Sequence, residues 1–181
     1  WAWKEKRVNI IRKCVDQALC IFPFEQEWFE QRGVNAHFVG HPFTEFHKPS
    51  MDKAAFFNKY SLDKGRPVLV LFPGSRQQEV DRHLPIFIKV VSLLNNDDVQ
   101  IIVGKVPQVT LGEIPNNWKV EEEDTSLCLE YGTAVLTASG TATLQSAVQD
   151  IPAVVSYKMS FGSWLLAKNM SKVPFAAMTN L

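Results

Sequence analysis

A short loop with the composition of an anion site follows an apolar run that ends at Phe72. It reads Pro73-Gly74-Ser75-Arg76. The glycine lets the backbone approach a ligand closely, and a serine that caps the next helix would leave free N–H groups and a dipole that favour an anion. The arginine adds donors that match phosphate oxygens. Taken alone, the tetrapeptide is equally compatible with a capped turn and an exposed arginine.

A second loop of small and hydroxyl-bearing residues, Ser139-Gly140-Thr141, follows the apolar run at 134–137. It too would lie at a helix N-terminus and offer N–H and hydroxyl donors to a diphosphate. The alternative is a second capped helix, but two such loops on one sheet edge favour a binding site. Neither loop matches the P-loop or the G-x-G-x-x-G pattern, which disfavours both classes of nucleotide-binding protein.

Apolar runs that alternate with helical patterns indicate the elements that position these loops. The predicted strands are 17–22 (buried), 34–39, 67–72, 99–103, 134–137 and 153–156, and the predicted helices are 4–13, 24–32, 51–60, 77–94, 125–131, 141–149 and 161–171. Residues 104–118 are loop-rich, and Pro85 predicts a kink or a late start in the fourth helix. The alternation predicts an α/β, Rossmann-like parallel sheet with helices on both faces. Ligands bind such sheets at the carboxyl ends of the strands.

Residues 40–50 contain Gly40, Pro42, Pro49 and Ser50, a composition typical of a linker. We therefore expect one domain over residues 1–45 and a second over 46–181. Because the chain opens on Trp1 and ends without a terminal signal, we expect an internal fragment of something longer.

Composition excludes several classes of function. The 181 residues are 46% hydrophobic and 21% charged with no net charge, so the basic footprint of a nucleic-acid-binding protein is absent. The acidic run at 121–124 is interpreted as a solvated face. Three cysteines without framework or metal spacing indicate a reducing, cytosolic compartment, and the four histidines form no zinc pattern. No apolar stretch reaches the roughly 18 residues of a membrane span.

A series of short motifs, in order along the whole chain, resembles lipid-A-disaccharide synthase. The motifs are Trp1-Ala2-Trp3, Arg7-Val8, Phe22-Pro23-Phe24-Glu25, Phe38-Val39-Gly40-His41-Pro42, Pro73-Gly74-Ser75-Arg76, Ala138-Ser139-Gly140-Thr141-Ala142-Thr143-Leu144, Tyr157-Lys158, Trp164 to Lys168, Lys172-Val173-Pro174 and Asn180-Leu181. The resemblance implies an inverting glycosyltransferase of the two-domain B-type fold. This chain would supply the end of the N-terminal domain and a truncated C-terminal nucleotide-binding domain.

The resemblance also implies a reaction and a location. Such an enzyme joins UDP-2,3-diacylglucosamine to 2,3-diacylglucosamine 1-phosphate (lipid X), giving lipid A disaccharide 1-phosphate and UDP, without a metal or cofactor. It would work at the cytoplasmic face of the inner membrane of a Gram-negative bacterium, as a peripheral protein in contact with anionic lipid. The basic start of the chain could touch that lipid or could be a plain surface helix; it contains Trp1, Trp3, Lys4, Lys6 and Arg7.

Site roles follow from the same resemblance. The UDP-binding residues would be Gly74, Ser75, Arg76, Ser139, Gly140, Thr141 and Gln145. Gln145 stands where the family usually has a glutamate for the ribose hydroxyls, and its amide oxygen can still accept one hydrogen bond without a charge. Glu25 and His41 are candidate cleft contacts, although a structural role for His41 is equally compatible.

The catalytic base is expected in the N-terminal part of the family that this chain lacks, so we name none and expect this chain alone to be inactive. Two other functions stay open at this point, a UDP-sugar epimerase of the same fold and a non-catalytic UDP-sugar-binding or assembly module. The oligomeric state is also open, with a homodimer among the alternatives.

Overall fold

The computed structural model describes residues 5–44, 49–138 and 140–159. The described residues divide into two compact units, one containing residues 5–44 and the other the residues from 49 to 159. The predicted helix at 161–171 lies outside the described residues.

The first unit holds a small parallel sheet. A 3-10 turn at Glu5–Arg7 leads into α1 (Val8–Cys14), followed by β1 (Ala18–Cys20), α2 (Pro23–Glu30), β2 (Ala36–Phe38) and a 3-10 turn at Pro42–Thr44. Strands β1 and β2 pair in parallel, from Ala18 opposite Ala36 to Cys20 opposite Phe38. α2 begins at Pro23, a position where the missing N–H costs nothing.

The prediction that the first strand is buried is wrong at Leu19, which is 65% exposed. Alternate side chains of a strand point to opposite faces. The neighbouring Cys20 is buried, whereas the face that carries Leu19 is open in the described part of the unit.

The second unit is a five-stranded parallel sheet in the order β5-β4-β3-β6-β7. The strands are β3 (Val68–Phe72), β4 (Gln100–Gly104), β5 (Lys119–Glu121), β6 (Ala134–Ala138) and β7 (Ala153–Ser156), and the helices are α3 (Lys53–Lys59), α4 (Gln77–Leu94), α5 (Ser126–Tyr131) and α6 (Thr141–Val148). Every strand pairing is parallel. The order is that of a Rossmann-like sheet: β4 and β5 follow β3 toward one edge of the sheet, and β6 and β7 follow on the other side of β3.

Two apolar clusters cover the two faces of this sheet. Val70 and Ile102 pack on one face with Phe56 of α3. On the opposite face, Leu71 and its neighbours pack with Phe87 of α4. Successive residues of β3 thus enter different clusters, as the two-residue period of a strand requires. The prediction of a sheet covered by helices on both faces is confirmed.

The long helix α4 begins at Gln77 and continues through Pro85 to Leu94, so the predicted late start is wrong. Pro85 lies on the exposed side of the helix. The buried face, with Leu84 and Phe87, packs on the sheet. That packing stabilises the helix against the local cost of a proline.

Strand β5 was missed, and the interpretation of the acidic run as a solvated face is wrong at Glu121. This side chain is fully buried at the end of β5. Its oxygens accept hydrogen bonds from the Tyr60 hydroxyl and from the N–H groups of Glu123 (2.7 Å) and Asp124 (3.1 Å). A buried carboxylate with this many donors avoids the cost of an unpaired charge.

Candidate functional site

The candidate site lies where β3 and β6 run side by side at the centre of the sheet, with Phe72 opposite Thr137. From β3 the chain proceeds to β4 and β5 on one side, whereas β6 is followed by β7 on the other. The loops that leave β3 and β6 therefore diverge and open a crevice between them. Each loop leads into the N-terminus of a helix, α4 or α6.

A cavity of about 160 Å³ occupies this crevice. Its lining residues are Phe72, Gly74, Ser75, Glu79, Gly104, Val106, Thr125, Thr137, Ala138, Gly140, Thr141, Ala142 and Gln145. Five of the residues singled out from the sequence come together here: Gly74, Ser75, Gly140, Thr141 and Gln145. Arg76 lies outside the lining, and Ser139 lies outside the described residues.

The loop after β3 already surrounds a negative group, the carboxylate of Glu79. One carboxylate oxygen accepts the Ser75 N–H at 3.1 Å, and the other lies 2.9 Å from Nη1 of Arg76. The prediction that Ser75 caps α4 is wrong, because Arg76 is the N-cap residue and makes no side-chain cap. Instead, Glu79 reaches back from the first turn, where a negative charge suits the helix dipole. The donors of this loop are thus arranged around an anionic oxygen pair.

Gly74 makes the close fit of this loop possible. Its φ is +140°, in the region that favours glycine. A Cβ at this position would lie 2.4 Å from the Cβ of Glu79. Any side chain would therefore push the loop away from α4.

The loop after β6 ends at Gly140, the N-cap residue of α6. The Gly140 carbonyl accepts the N–H of Thr143 at 3.1 Å and its hydroxyl at 2.7 Å. The first N–H groups of a helix have no intrahelical acceptor. Since Thr141 and Ala142 line the cavity, that end of α6 faces the crevice. Gln145 follows one turn later and lines the same space.

The rim of the cavity also contains Thr125, which was not predicted from the sequence. It directly follows the turn that the buried Glu121 holds in place. Burial raises the pKa of Glu121, but the hydrogen bonds from Tyr60 and the turn amides, together with the charge of Lys59 at 3.4 Å, outweigh burial and leave this pKa below its ordinary value. Glu121 is therefore a charged, fully hydrogen-bonded anchor for this rim.

Glu25 and His41 belong to the first unit and make local contacts there. An oxygen of Glu25 accepts the N–H of Phe22 at 3.2 Å, which ties down the start of α2. Nδ1 of His41 accepts the N–H of Phe43 at 3.2 Å, and its ring lies 4.7 Å from that of Phe43. Both side chains thus have structural roles, and a ligand contact for either one stays a prediction.

Neither a cluster of metal ligands nor a helix able to cross a membrane is found in the described part of the chain. No cluster of three or more His, Cys, Asp or Glu side chains has the arrangement of a metal site within residues 5–44, 49–138 and 140–159. In the same ranges, none of the helices combines the length and the apolar character that crossing a membrane requires.

The sheet order and the crevice define a Rossmann-like α/β unit, as predicted. The fold is similar to that of the S. aureus MnaA-UDP co-structure, with a TM-score of 0.60 over 95% of this chain and 50% of that chain, at 12% sequence identity. At the level of sequence, the family model described as Lipid-A-disaccharide synthetase matches residues 1–181. The chain belongs to this family, which confirms the resemblance seen in the motifs.

Curated relatives agree with this assignment. The chain is 33% identical over 189 residues to the Lipid-A-disaccharide synthase of Solibacter usitatus (strain Ellin6076), covering 100% of this chain and 49% of that protein. It is 33% identical over 187 residues to the enzyme of that name from Coxiella burnetii (strain RSA 331 / Henzerling II), covering 100% of this chain and 50% of the relative. The chain spans about half the length of these relatives.

Proposed function

We propose that this chain is part of a lipid-A-disaccharide synthase, with the end of the N-terminal domain and a truncated C-terminal domain, and that its β3–β6 crevice binds the UDP of UDP-2,3-diacylglucosamine. The observation that carries the proposal is the convergence of two loops, each at a helix N-terminus, on one cavity at the point where the strand order reverses. Family membership supports the choice of donor sugar and reaction. In this proposal residues 1–45 end the N-terminal domain and residues 46–181 belong to the nucleotide-binding domain.

The proposed reaction places negative charge in this crevice. A hydroxyl of 2,3-diacylglucosamine 1-phosphate attacks the anomeric carbon of the donor, the bond from that carbon to the diphosphate oxygen breaks, and UDP leaves. Donors at the two loops stabilise the charge that grows on the diphosphate. On the β6 side these are Ser139, Gly140 and Thr141, and on the β3 side the Gly74–Ser75 backbone and Arg76. The base that takes the hydroxyl proton comes from the amino-terminal half of the enzyme.

Two further assignments complete the proposal. Gln145 lines the cavity one turn beyond the α6 N-terminus, where its amide oxygen accepts a hydrogen bond from a ribose hydroxyl. The acylated substrates place the enzyme at the cytoplasmic face of the inner membrane, in peripheral contact with anionic lipid. Glu25 and His41 are assigned to the acceptor side of the enzyme.

Arg76→Ala tests the role of the loop after β3. Arg76 is 79% exposed, so its guanidinium is free to turn to a bound phosphate, and Glu79, which is 13% exposed, then keeps the hydrogen bond from the Ser75 N–H. Loss of one charged hydrogen bond weakens UDP binding by about 1.5–3 kcal/mol, roughly 10- to 150-fold. Calorimetry with UDP measures this difference.

Arg82→Ala is the matched control, because Arg82 is exposed like Arg76 but lies within α4 instead of in the loop at its N-terminus. It removes the same charge and should leave UDP affinity within about two-fold of the original. Equal affinities of the Arg76 variant and the unchanged protein would refute the assignment.

The reaction itself is tested in the full-length enzyme with both lipid substrates, by following formation of the disaccharide and release of UDP. The expected result is disaccharide from the full-length enzyme and none from the 181-residue chain. Conversion of a UDP-sugar to its UDP-linked epimer without disaccharide, or disaccharide formed by the chain alone, would contradict the proposal.

A further inference from the structure

His83 lies behind the loop after β3 and is fully buried on α4. Its Nδ1 lies 3.0 Å from the carbonyl oxygen of Pro73, the first residue of the loop. Its Nε2 lies 2.8 Å from the backbone nitrogen of Lys158, two residues beyond β7. The ring therefore bridges two segments that are 85 residues apart in sequence and both leave the carboxyl edge of the sheet.

The two partners determine the protonation state of this ring. A carbonyl oxygen can only accept a hydrogen bond, so Nδ1 carries the proton that it donates to Pro73. A backbone N–H can only donate, so Nε2 offers its lone pair to Lys158. Both bonds together require the neutral imidazole with its hydrogen on Nδ1, because an imidazolium has no acceptor nitrogen.

The bridge connects strands that are not neighbours. In the sheet, β6 lies between β3 and β7, so no strand pairing joins the loop at Pro73 to the segment at Lys158. Pro73 has no N–H, so its carbonyl is the single backbone group by which this residue can be hydrogen-bonded. The next residue is Gly74, which lines the cavity. Holding the Pro73 carbonyl therefore sets the direction in which the cavity-lining backbone leaves β3.

We propose that His83 is a positioning residue for UDP binding: as the neutral Nδ1–H tautomer, it holds the loop after β3 in its binding geometry and couples it to the segment after β7. This inference rests on the proposed function of the crevice. His83 itself does not line the cavity, so its effect on a ligand passes through Pro73.

Nitrogen-15 NMR of the histidine side chains tests the bridge in the unaltered chain. The expected signature of His83 is a protonated Nδ1 and an unprotonated Nε2, with slow hydrogen exchange at the Lys158 amide. The opposite tautomer, an imidazolium at neutral pH, or a Lys158 amide that exchanges as fast as an exposed loop would overturn the inference.

Variants then test the coupling to the ligand. His83→Phe keeps a buried ring and loses both hydrogen bonds, and we expect UDP binding to weaken roughly ten-fold or more and Lys158 exchange to accelerate. His83→Asn keeps a donor near the position of Nδ1, so it should recover much of the UDP affinity while Lys158 exchange stays fast. This separation of the two readouts is not expected from a general loss of stability.

Phe56→Leu is the control for stability, because Phe56 is equally buried but packs on the opposite face of the sheet from α4 and His83. It should lower the melting temperature and leave UDP affinity unchanged. If the unaltered chain binds UDP and His83→Phe binds it equally well, the inference fails and the proposed function stands. If the unaltered chain does not bind UDP, the proposed function fails, and the NMR signature with Lys158 exchange still decides whether the bridge exists.

Discussion

Replacing Gly74 with alanine places one methyl group in the tightest part of the candidate site. The new Cβ would lie 2.4 Å from the Cβ of Glu79 and 3.0 Å from one of its carboxylate oxygens. Contact between two Cβ atoms at that distance is forbidden, so either the loop or the first turn of α4 must move. The backbone at φ +140° is also strained for any residue other than glycine.

The expected cost has two parts. Backbone strain of this type costs about 1–3 kcal/mol, and overpacking a closely fitted position costs about 1–3 kcal/mol. Unfolding free energy should therefore fall by roughly 2–6 kcal/mol, unless the loop moves to relieve the contact. In that case the Ser75 N–H and the Arg76 guanidinium move out of the positions in which they would bind a phosphate. UDP affinity then falls by roughly 10-fold or more, the equivalent of one charged hydrogen bond.

Gly112→Ala separates the cost of backbone strain from the cost of overpacking. Gly112 also has a positive φ, +65°, but a Cβ there would meet no atom within 4 Å. This variant should show the backbone cost alone, about 1–2 kcal/mol, with unchanged UDP affinity. Chemical denaturation and UDP calorimetry on both variants, at a temperature where each is folded, measure the comparison. Wild-type UDP affinity together with wild-type stability in the Gly74 variant would refute the close-fit argument.

Other predictions concern the buried carboxylate and the cysteines. Glu121→Gln should lower the unfolding free energy by about 1–3 kcal/mol at neutral pH, whereas Glu122→Gln, at a side chain 53% exposed, should change it by less than about 0.5 kcal/mol. Because the folded-state pKa of Glu121 is lowered, its contribution to the unfolding free energy is present above the unfolded pKa of about 4.3 and is lost as pH falls through the folded pKa. The difference in unfolding free energy between Glu121→Gln and wild type should therefore shrink in acid. A difference that does not change with pH would contradict this. Burial, and then the charges of Glu121 and Asp124, raise the pKa of Cys128. Mass spectrometry should therefore show that iodoacetamide labels the exposed Cys14 first and Cys128 only on unfolding. Equal labelling rates of the two cysteines in the native protein would contradict this.

Much of the second unit could be predicted from local patterns. The strand at 153–156 has the predicted bounds, and so does the helix at 77–94. These elements carry strong periodic or continuous apolar signals, which depend only on neighbours in sequence. Strand β5 is three residues long, and that length is too short to show a period.

The candidate site divides in the same way. Glycine and hydroxyl residues after apolar runs were visible in the sequence, and five of the predicted residues line one cavity. The contact of Glu79 with the loop could not be predicted from the sequence. A glutamate in the first turn of a helix is common, and this contact depends on how the loop folds back toward the helix. Arg76 was predicted in the site on its charge, yet its side chain does not line the cavity and pairs with Glu79 instead.

The sequence by itself determined the family, the alternation of strands and helices, and the two loops, because each of these depends on short runs of residues that are adjacent along the chain. Tertiary structure alone decided that the carboxylate of Glu121 is buried against Tyr60, 61 residues away. It alone also decided that His83 bridges Pro73 to Lys158, which is 75 residues from His83 in sequence. The reason is physical. Whether a polar side chain is solvated or buried depends on the partners that the fold brings to it, and those partners are distant in sequence.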